Sequence, residues 1–177
     1  VILLAHPNMK ESQANKALVD AVSDMEGVAV FNLYELSQEI AFNVDEWSKI
    51  ISDASAVIYQ FPFYWMSAPS LLKKWQDEVF TFLSKTPAVA GKSLTVVTTT
   101  GSEYEAYRSG GRNRFTMDEL LRPYQVSAIH SGMSWQTPIV VYGMGTADAG
   151  KNIAEGANLY KQRVEMLIGS SNAGNNW

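Results

Sequence analysis

The sequence contains no cysteine, and this absence removes several kinds of chemistry at once. Without thiols there is no disulfide, no thiolate metal site and no cysteine nucleophile. Histidine is scarce as well, with two residues, His6 and His130, in 177. No group of His, Asp and Glu therefore has the spacing of metal ligands, and no Ser-His-Asp triad can be assembled.

Clustered positive charge and long apolar runs are also lacking. The net charge is −4 and no basic stripe is present, which argues against nucleic acid as a partner. No apolar run approaches the ~20 residues of a membrane-spanning helix. Val1–Ala5 lacks the basic flank and the length of a signal peptide. We therefore expect a cytoplasmic protein with one domain over residues 1–177.

What the sequence does contain is a regular alternation of strand and helix patterns. The predicted strands cover residues 1–5, 28–33, 56–61, 93–100 and 138–142. The predicted helices cover residues 13–25, 45–53, 69–83, 115–132 and 148–168, with Ser12 and Asp45 as N-caps and a bend at Pro123. Residues 126–131 also fit a strand. The alternation predicts an α/β fold, a three-layer sandwich around a five-stranded parallel sheet in the flavodoxin-like order 2-1-3-4-5.

The loop after the predicted third strand is rich in aromatic side chains. Ligands of open α/β sheets bind beyond the carboxyl ends of the strands, and an aromatic loop there suits a flat conjugated ring. The alternative is a hydrophobic loop packed in an interface. The candidate residues are Pro62, Phe63, Tyr64, Trp65 and Met66.

The loop after the first strand has neither the Gly-x-Gly-x-x-Gly pattern of dinucleotide sites nor the Gly-Lys-Ser/Thr of a P-loop. It offers His6 and then a helix start, where free N–H groups attract phosphate. The residues of that helix start are Ser12, Gln13, Ala14 and Asn15. The alternative is that Ser12 only caps the helix and His6 is an ordinary loop histidine.

The fourth strand ends in a polar turn, Thr99-Thr100-Gly101-Ser102, in which Gly101 allows a close approach of the backbone to a ligand. Taken alone, this motif also fits an ordinary turn. The loops after strands one, three and four are neighbours in a 2-1-3-4-5 sheet. Phosphate donors, an aromatic wall and a polar turn together describe a site for flavin mononucleotide.

Tyr104 and Tyr107 follow in a loop that also carries arginines, and a tyrosine hydroxyl can donate a proton to a substrate. A solvated loop with exposed tyrosines is the alternative. A second glycine segment, Gly143-Met144-Gly145-Thr146, lacks the third glycine of a fingerprint, so we interpret it as a turn.

Several motifs together resemble the flavodoxin-like NAD(P)H:quinone oxidoreductases, a family that includes the ancillary flavoproteins of glutathione-gated potassium-efflux systems. The motifs are Ala5-His6-Pro7, Ser12-x-Ala14-Asn15, the block from Gln60 to Asp77, Thr99-Thr100-Gly101 and the region from Tyr124 to Tyr142. The similarity runs over almost the whole chain, and the block from Pro62 to Asp77 is its most specific part.

The resemblance implies FMN, or alternatively FAD, with its phosphate at His6 and residues 12–15. It implies a flavin ring held by backbone amides of Phe63 to Met66 and of Thr99 to Ser102. It also implies NAD(P)H as the electron donor, a quinone-like acceptor, and a homodimer with the active site at its interface. The alternative is a regulatory flavoprotein bound to a potassium-efflux transporter at the inner face of the membrane.

The chain departs from the family pattern at two points. Ser102 stands where the turn has a second glycine, and Arg112-Asn113 stand where mammalian members have a histidine. Tyr107 falls near the tyrosine position of the family. These departures concern the substrate side of the site rather than the flavin-binding backbone.

Overall fold

The computed structural model describes residues 1–36 and 41–173, with side chains described as far as residue 170. Six parallel strands form one sheet in the order β2-β1-β3-β4-β5, and β6 also pairs with β4. The strands are β1 (Ile2–Leu4), β2 (Val30–Asn32), β3 (Ala56–Pro62), β4 (Ser93–Thr99), β5 (Ser134–Trp135) and β6 (Ile139–Val141). The predicted fold class and strand order are confirmed.

The predicted fifth strand is interrupted, and this corrects the sequence-based boundaries. β5 and β6 pair with two ends of the same neighbour, β4. Between them the N–H of Gln136 still donates to the carbonyl of Leu94 at 2.9 Å. Pro138 has no N–H to continue such a ladder, and proline in sheets is confined to edges and breaks. β5 and β6 together act as one broken edge strand.

Helices cover both faces of the sheet. They are α1 (Ala14–Asp20), α2 (Leu33–Leu36), α3 (Val44–Asp53), α4 (Ser70–Trp75), α5 (Thr81–Leu83), α6 (Met117–Leu120), α7 (Arg122–His130) and α8 (Ala149–Ala173). A π-helical turn, Gln76–Phe80, joins α4 to α5, and a 3₁₀ turn covers Tyr104–Tyr107. Among the described residues no helix is long and apolar enough to cross a membrane.

Several predicted helix ends are wrong. α1 ends at Asp20 rather than at residue 25, and Gln13, not Ser12, is its N-cap residue, without a side-chain cap bond. Asn43, not Asp45, caps α3, because its side chain accepts hydrogen bonds from the N–H groups of residues 45 and 46.

The predicted long helix over residues 115–132 is two helices, and its break lies at Leu121 rather than at Pro123. Pro123 lies in the first turn of α7, where its missing N–H costs nothing. A capping box between Thr116 and Glu119 begins α6, which explains why a separate helix starts there. Residues 126–130 belong to α7, so the strand alternative for 126–131 is wrong.

Two hydrophobic cores lie on opposite faces of the sheet. The larger one packs α3, α4 and α7 against the strands and centres on Trp75, which contacts Trp47 and Tyr59 at ring-centroid distances of 5.3 and 6.0 Å. The second packs α1 and α8 around buried Leu18 and Tyr160. This double layer fixes the strands whose carboxyl ends carry the site.

Candidate functional site

The loops after four strands begin side by side at one edge of the sheet. Leu4 lies opposite Gln60, Pro62 opposite Thr99, and Thr99 opposite Val141. The loops that follow β1, β3, β4 and β6 therefore leave the sheet as neighbours. This is the switch point at which open α/β sheets bind ligands.

A buried polar bridge ties three of these elements together. The Asn15 side-chain amide donates to the Thr99 hydroxyl at 3.0 Å, and the Gln60 side-chain amide donates to the Asn15 carbonyl at 2.8 Å. All three side chains are buried. Asn15 was predicted to donate to a phosphate; one N–H of its side-chain amide donates to Thr99, and this bond braces α1 against β4.

The bridge leaves two buried acceptors, Asn15 Oδ1 and Gln60 Oε1, without a hydrogen-bond partner among the described residues. An unsatisfied buried acceptor costs roughly 1–3 kcal/mol. Such acceptors in a folded protein require an explanation, for example an ordered water molecule or a bound group. Gln60 begins the block from Gln60 to Asp77 that resembles the reductase family, but it was not among the predicted site residues. Its signal is a polar residue inside a strand that is buried along its whole length.

His6 is buried and its imidazole is oriented by the backbone. Its Nδ1 accepts a hydrogen bond from the Asn8 N–H at 3.0 Å, so the proton of the neutral ring is on Nε2. Burial lowers the pKa of His6 below its ordinary value of 6.5. The side chain also contacts the aromatic loop, with its ring 6.4 Å from that of Tyr64.

The predicted phosphate loop leads directly into α1. Ser12 is partly buried and its N–H donates to the Met9 carbonyl at 3.2 Å, whereas Gln13 is exposed and Ala14 is buried. The N–H groups of a first helical turn have no partner inside the helix. The donors that this loop offers are therefore main-chain N–H groups, the Ser12 hydroxyl and His6 Nε2–H.

The aromatic loop turns tightly in an unusual backbone conformation. Tyr64 and Ser67 exchange two backbone hydrogen bonds of 2.9 and 3.0 Å, and the residues between them, Trp65 and Met66, have φ of 48° and 62°. Positive φ at both central positions defines a type I′ turn, which glycine and asparagine prefer. For other residues this conformation costs roughly 1–2 kcal/mol each, and strain of this kind clusters at functional sites.

Of the four amides predicted to hold a flavin ring in this loop, two are already engaged. The Phe63 N–H donates to the Thr99 carbonyl at 2.9 Å, and the Tyr64 N–H bonds inside the turn. The Trp65 and Met66 amides take part in neither bond. The Trp65 side chain is 98% exposed, whereas Pro62 and Phe63, which precede it in the loop, are buried.

Tyr124 on α7 holds the end of the aromatic loop by hydrogen bonds, and this role was not predicted. Its hydroxyl accepts the Ala68 N–H at 3.2 Å and lies 3.4 Å from the Ser67 hydroxyl. Its ring packs against Tyr59 and Phe61. Burial raises the pKa of Tyr124, so this hydroxyl stays protonated near neutral pH. A contact between residues nearly 60 positions apart leaves no local signal in the sequence.

The turn after β4 is joined to the glycine segment after β6. The carbonyls of Thr100, Gly101 and Ser102 accept N–H groups of residues 143–145 at 2.8–2.9 Å. A Cβ on Gly145 would lie 3.1 Å from the Gly101 carbonyl oxygen, so this close approach requires glycine. Residues 143–146 form a turn, as predicted. Of the predicted amides of Thr99 to Ser102, Thr99 lies in β4 and the Thr100 N–H donates to the Val141 carbonyl at 2.9 Å, so the Gly101 and Ser102 amides are the ones that this turn can offer to a ligand.

Tyr107 and Tyr104 occupy different surroundings. Tyr107 is buried, and its ring lies 6.2 Å from that of Phe63 and 5.8 Å from that of Tyr142. Tyr104 is half exposed, and its ring centroid lies 5.3 Å from that of Tyr142. Burial raises the pKa of Tyr107, which keeps its hydroxyl available as a proton donor. Of these two tyrosines, Tyr107 is therefore the one whose ring contacts the aromatic loop.

Comparison with known proteins agrees with this geometry. A family model described as a flavodoxin-like fold matches residues 1–164. The uncharacterized NAD(P)H oxidoreductase YdeQ of Bacillus subtilis (strain 168) is 34% identical over 171 residues, covering 94% of this chain and 86% of that protein. The glutathione-regulated potassium-efflux system ancillary protein KefG of Pectobacterium atrosepticum is 34% identical over 146 residues, covering 80% of each chain.

Two solved structures are similar over nearly their whole length. General stress protein 14 of Treponema denticola, in complex with FMN, superposes with a TM-score of 0.85 at 29% identity, covering 94% of this chain and 97% of that one. An NADPH-quinone reductase of P. pentosaceus superposes with a TM-score of 0.77 at 28% identity, covering 92% and 95%. On the family match and these relatives, the chain belongs to the flavodoxin-like NAD(P)H:quinone reductase family.

Proposed function

We propose that this protein is an FMN-dependent NAD(P)H:quinone oxidoreductase with a ping-pong mechanism. The observation that carries the proposal is the convergence of a phosphate-suited loop, a strained aromatic turn and a glycine turn at the switch point of the sheet. Relatives named as an NAD(P)H oxidoreductase and an NADPH-quinone reductase support it, and so does a relative in complex with FMN.

The loop after β1 fits a phosphate. The first turn of α1 offers main-chain N–H groups, the Ser12 hydroxyl adds a donor, and His6 presents Nε2–H because its Nδ1 is engaged. A neutral imidazole at this position can donate to a phosphate oxygen. The Asn15 bridge to Thr99 holds this loop at a fixed distance from β4.

The loops after β3 and β4 fit a flat heterocycle. The Trp65 and Met66 amides and the Gly101 and Ser102 amides are the main-chain donors in these two turns that lie outside the bonds described above. Donors fixed in advance stabilise developing negative charge without further reorganisation. The Tyr64 ring lies 6.4 Å from that of His6, so the aromatic loop and the loop after β1 are in contact.

When bound, the flavin would supply the redox chemistry, accepting hydride from NAD(P)H and delivering electrons to a quinone. The protein positions the ring, shields it from water and handles protons. The Tyr107 hydroxyl is protonated at neutral pH and buried beside Phe63, so we assign it the proton donation to the reduced acceptor.

Reconstitution tests the proposal. Apoprotein titrated with FMN, FAD and riboflavin should bind FMN most tightly, because riboflavin lacks the phosphate and FAD carries an added adenylate. The FMN form should lose its visible absorption with NADH or NADPH and regain it with a quinone. Protein that binds no flavin, or binds riboflavin as well as FMN, would contradict the proposal.

We further infer a homodimer that forms over the aromatic loop. Trp65 is 98% exposed, and Tyr64 and Met66 are about half exposed, which is a large apolar patch for a monomer. Sedimentation velocity of the FMN form should give a dimer, and Trp65→Ser should weaken it. A monomer with full activity at micromolar concentration would refute this inference.

A second candidate function is that of a regulatory subunit on a potassium-efflux transporter, favoured by the similarity to KefG. Co-expression with such a transporter separates the two functions. If regulation is the function, Tyr107→Phe should leave potassium efflux unchanged while quinone reduction slows. Failure to co-purify with the transporter would remove this candidate.

A further inference from the structure

We propose that Arg112 is a positioning residue for the acceptor half-reaction: Ser102 holds its guanidinium near Tyr107, where the charge stabilises the tyrosinate left when Tyr107 gives its proton to the acceptor. The proposal rests on the proposed reductase function. In the sequence Arg112 was only a departure from the family pattern, and no role was predicted for it. Three features of the structure support this role.

The turn after β4 fixes the guanidinium of Arg112. Its Nη2 donates to the Ser102 hydroxyl oxygen at 2.5 Å. The Ser102 main chain is itself held, because its carbonyl accepts the Thr100 hydroxyl at 2.7 Å and the Gly143 N–H at 2.8 Å. A hydrogen bond from a charged donor is stronger than one between neutral groups, so it orients an otherwise exposed side chain. Glycine at position 102 would leave Arg112 without this acceptor.

The loop that carries Arg112 is packed against the 3₁₀ turn, which ends with the proposed proton donor. The Asn113 N–H donates to the Ala106 carbonyl at 3.0 Å. A Cβ on Gly111 would lie 2.1 Å from the Glu105 carbonyl oxygen, so this close approach requires glycine. Because both neighbours of Arg112 in the chain contact the turn, the backbone of Arg112 is held close to it as well.

Arg112 is also the charged group that acts on the Tyr107 hydroxyl. Burial raises the pKa of Tyr107, whereas the positive charge of Arg112 lowers it. Three neighbouring side chains lower this pKa further by hydrogen bonding, those of Thr100, Ser102 and Asn113. Tyr142, whose ring lies 5.8 Å from that of Tyr107, remains neutral because burial raises its pKa to about 12. In the described part of the chain every ion pair within 4.0 Å uses a lysine, so Arg112 forms no ion pair there.

The charge acts in the proton-transfer step. The O–H bond of Tyr107 breaks, a new O–H bond forms on the acceptor oxygen, and the negative charge passes to the tyrosine oxygen. Two electrons reach the acceptor from the cofactor, and water later returns a proton to the tyrosinate. A cation fixed in advance stabilises this negative charge without reorganisation. Because Arg112 is exposed, solvent screens the interaction, so its effect on the rate is small compared with that of Tyr107 itself.

Fluorine NMR of protein that contains 3-fluorotyrosine measures the pKa of Tyr107, whose signal is assigned by its loss in Tyr107→Phe. We expect Arg112→Gln to raise this pKa, because removing a cation disfavours the tyrosinate, and Arg112→Lys, which keeps the charge, to raise it less. Arg108→Gln is the matched control. It removes the same charge from the same loop, but Arg108 lies over the Tyr104 ring at 5.9 Å, so it should also raise the pKa of Tyr107 less. An unchanged pKa in Arg112→Gln would overturn the proposal.

Stopped-flow kinetics of the FMN form complete the test. Arg112→Gln should slow the quinone half-reaction roughly 2- to 5-fold, leave reduction by NAD(P)H unchanged, and have no further effect when combined with Tyr107→Phe. Slowing that persists in the double variant, or equal slowing of reduction by NAD(P)H, would contradict the proposal, because Arg112 would then act on the acceptor or on the flavin. Failure to bind FMN would refute the reductase function, whereas an unchanged Tyr107 pKa with normal flavin turnover would refute the assignment of Arg112 alone.

Discussion

At the scale of single residues, burial and a bound phosphate would act on the ionisation of His6 in opposite directions. Burial lowers its pKa below 6.5, so the unfolded chain takes up a proton more readily than the folded one as pH falls. The contribution of neutral His6 to stability is therefore complete above pH 6.5 and is lost as pH falls through the folded pKa. A phosphate dianion that accepts a hydrogen bond from Nε2 would instead raise the pKa of His6.

We predict that FMN raises the pKa of His6, since a close opposite charge favours the protonated form of an imidazole. An NMR titration of the imidazole Cε1–H signals, without ligand, with FMN and with riboflavin, measures it. The Cε1–H signal of exposed His130 serves as an internal reference. A His6 pKa that rises equally with riboflavin would place the phosphate elsewhere.

Tyr107 is the residue to which we assign proton delivery. Tyr107→Phe should slow the quinone half-reaction by roughly 10²–10⁴-fold, with flavin content unchanged and reduction by NAD(P)H affected less. Tyr104→Phe is the matched comparison and should have a smaller effect, because its ring contacts Tyr142 rather than Phe63. Stopped-flow measurement of both half-reactions checks this. If the Tyr107→Phe variant reduces quinone at the wild-type rate, Tyr107 lines the pocket and is not the proton donor.

Some residue roles follow from the sequence and others do not. The loop positions of His6, Trp65 and Gly101 follow from where strands end. That the Asn15 side chain bonds Thr99 depends on how α1 packs on a strand 84 residues away. Packing decides which distant residue in the sequence a polar side chain will bond, and a local sequence pattern carries no information about it.

At the scale of elements, the turn after β3 has a backbone conformation at Trp65 and Met66 that lowers the stability of the fold. We predict that Met66→Gly is more stable than Met66→Ala by roughly 0.5–1 kcal/mol, because only glycine adopts φ of 62° without a Cβ penalty. Met66→Gly should nevertheless bind FMN less tightly than Met66→Ala, since a looser turn must be ordered on binding. Denaturant unfolding and FMN titration give the two quantities. Equal stability of the two variants would show that the turn is unstrained.

The packing of α8 on β6 sets the outer edge of the sheet. A Cβ on Gly156 would lie 2.4 Å from Val141 Cγ2, so Gly156→Ala should destabilise the fold by roughly 1–3 kcal/mol. Gly169→Ala, on the same helix in open space, should be neutral or stabilise by up to about 1 kcal/mol. Thermal unfolding of both variants measures this. If the clash is the cause, adding Val141→Ala should recover part of the loss, and strict additivity would contradict it.

Element identities were predictable because apolar runs and helical periodicity recur along the whole chain. Their ends were less so. Asn43 competes with Asp45 as a cap, Pro138 breaks an edge strand, and a π-helical turn follows Trp75. In each case the local pattern fits more than one end point, so periodicity alone does not fix where the element begins or ends.

At the scale of the whole molecule, one sheet carries two neighbouring regions that share Tyr107, whose ring contacts Phe63 of the aromatic loop and which also lines the groove along β6. The switch point gathers the loops after β1, β3 and β4, and the broken edge strand leaves a groove beyond Tyr142. The first region was predictable from strand order. The second was not, because it forms between a long loop and a helix 50 residues further along the chain.

The most direct test of the account is anaerobic turnover of the reconstituted protein. Apoprotein is loaded with FMN and freed of excess, then mixed with NADPH or NADH and afterwards with a quinone, while the visible flavin absorption is followed. The account predicts that flavin stays bound, that its absorption is lost with the nicotinamide donor, and that it returns with the quinone. Protein that releases FMN on gel filtration, or whose bound FMN is not reduced by either nicotinamide donor, would contradict it.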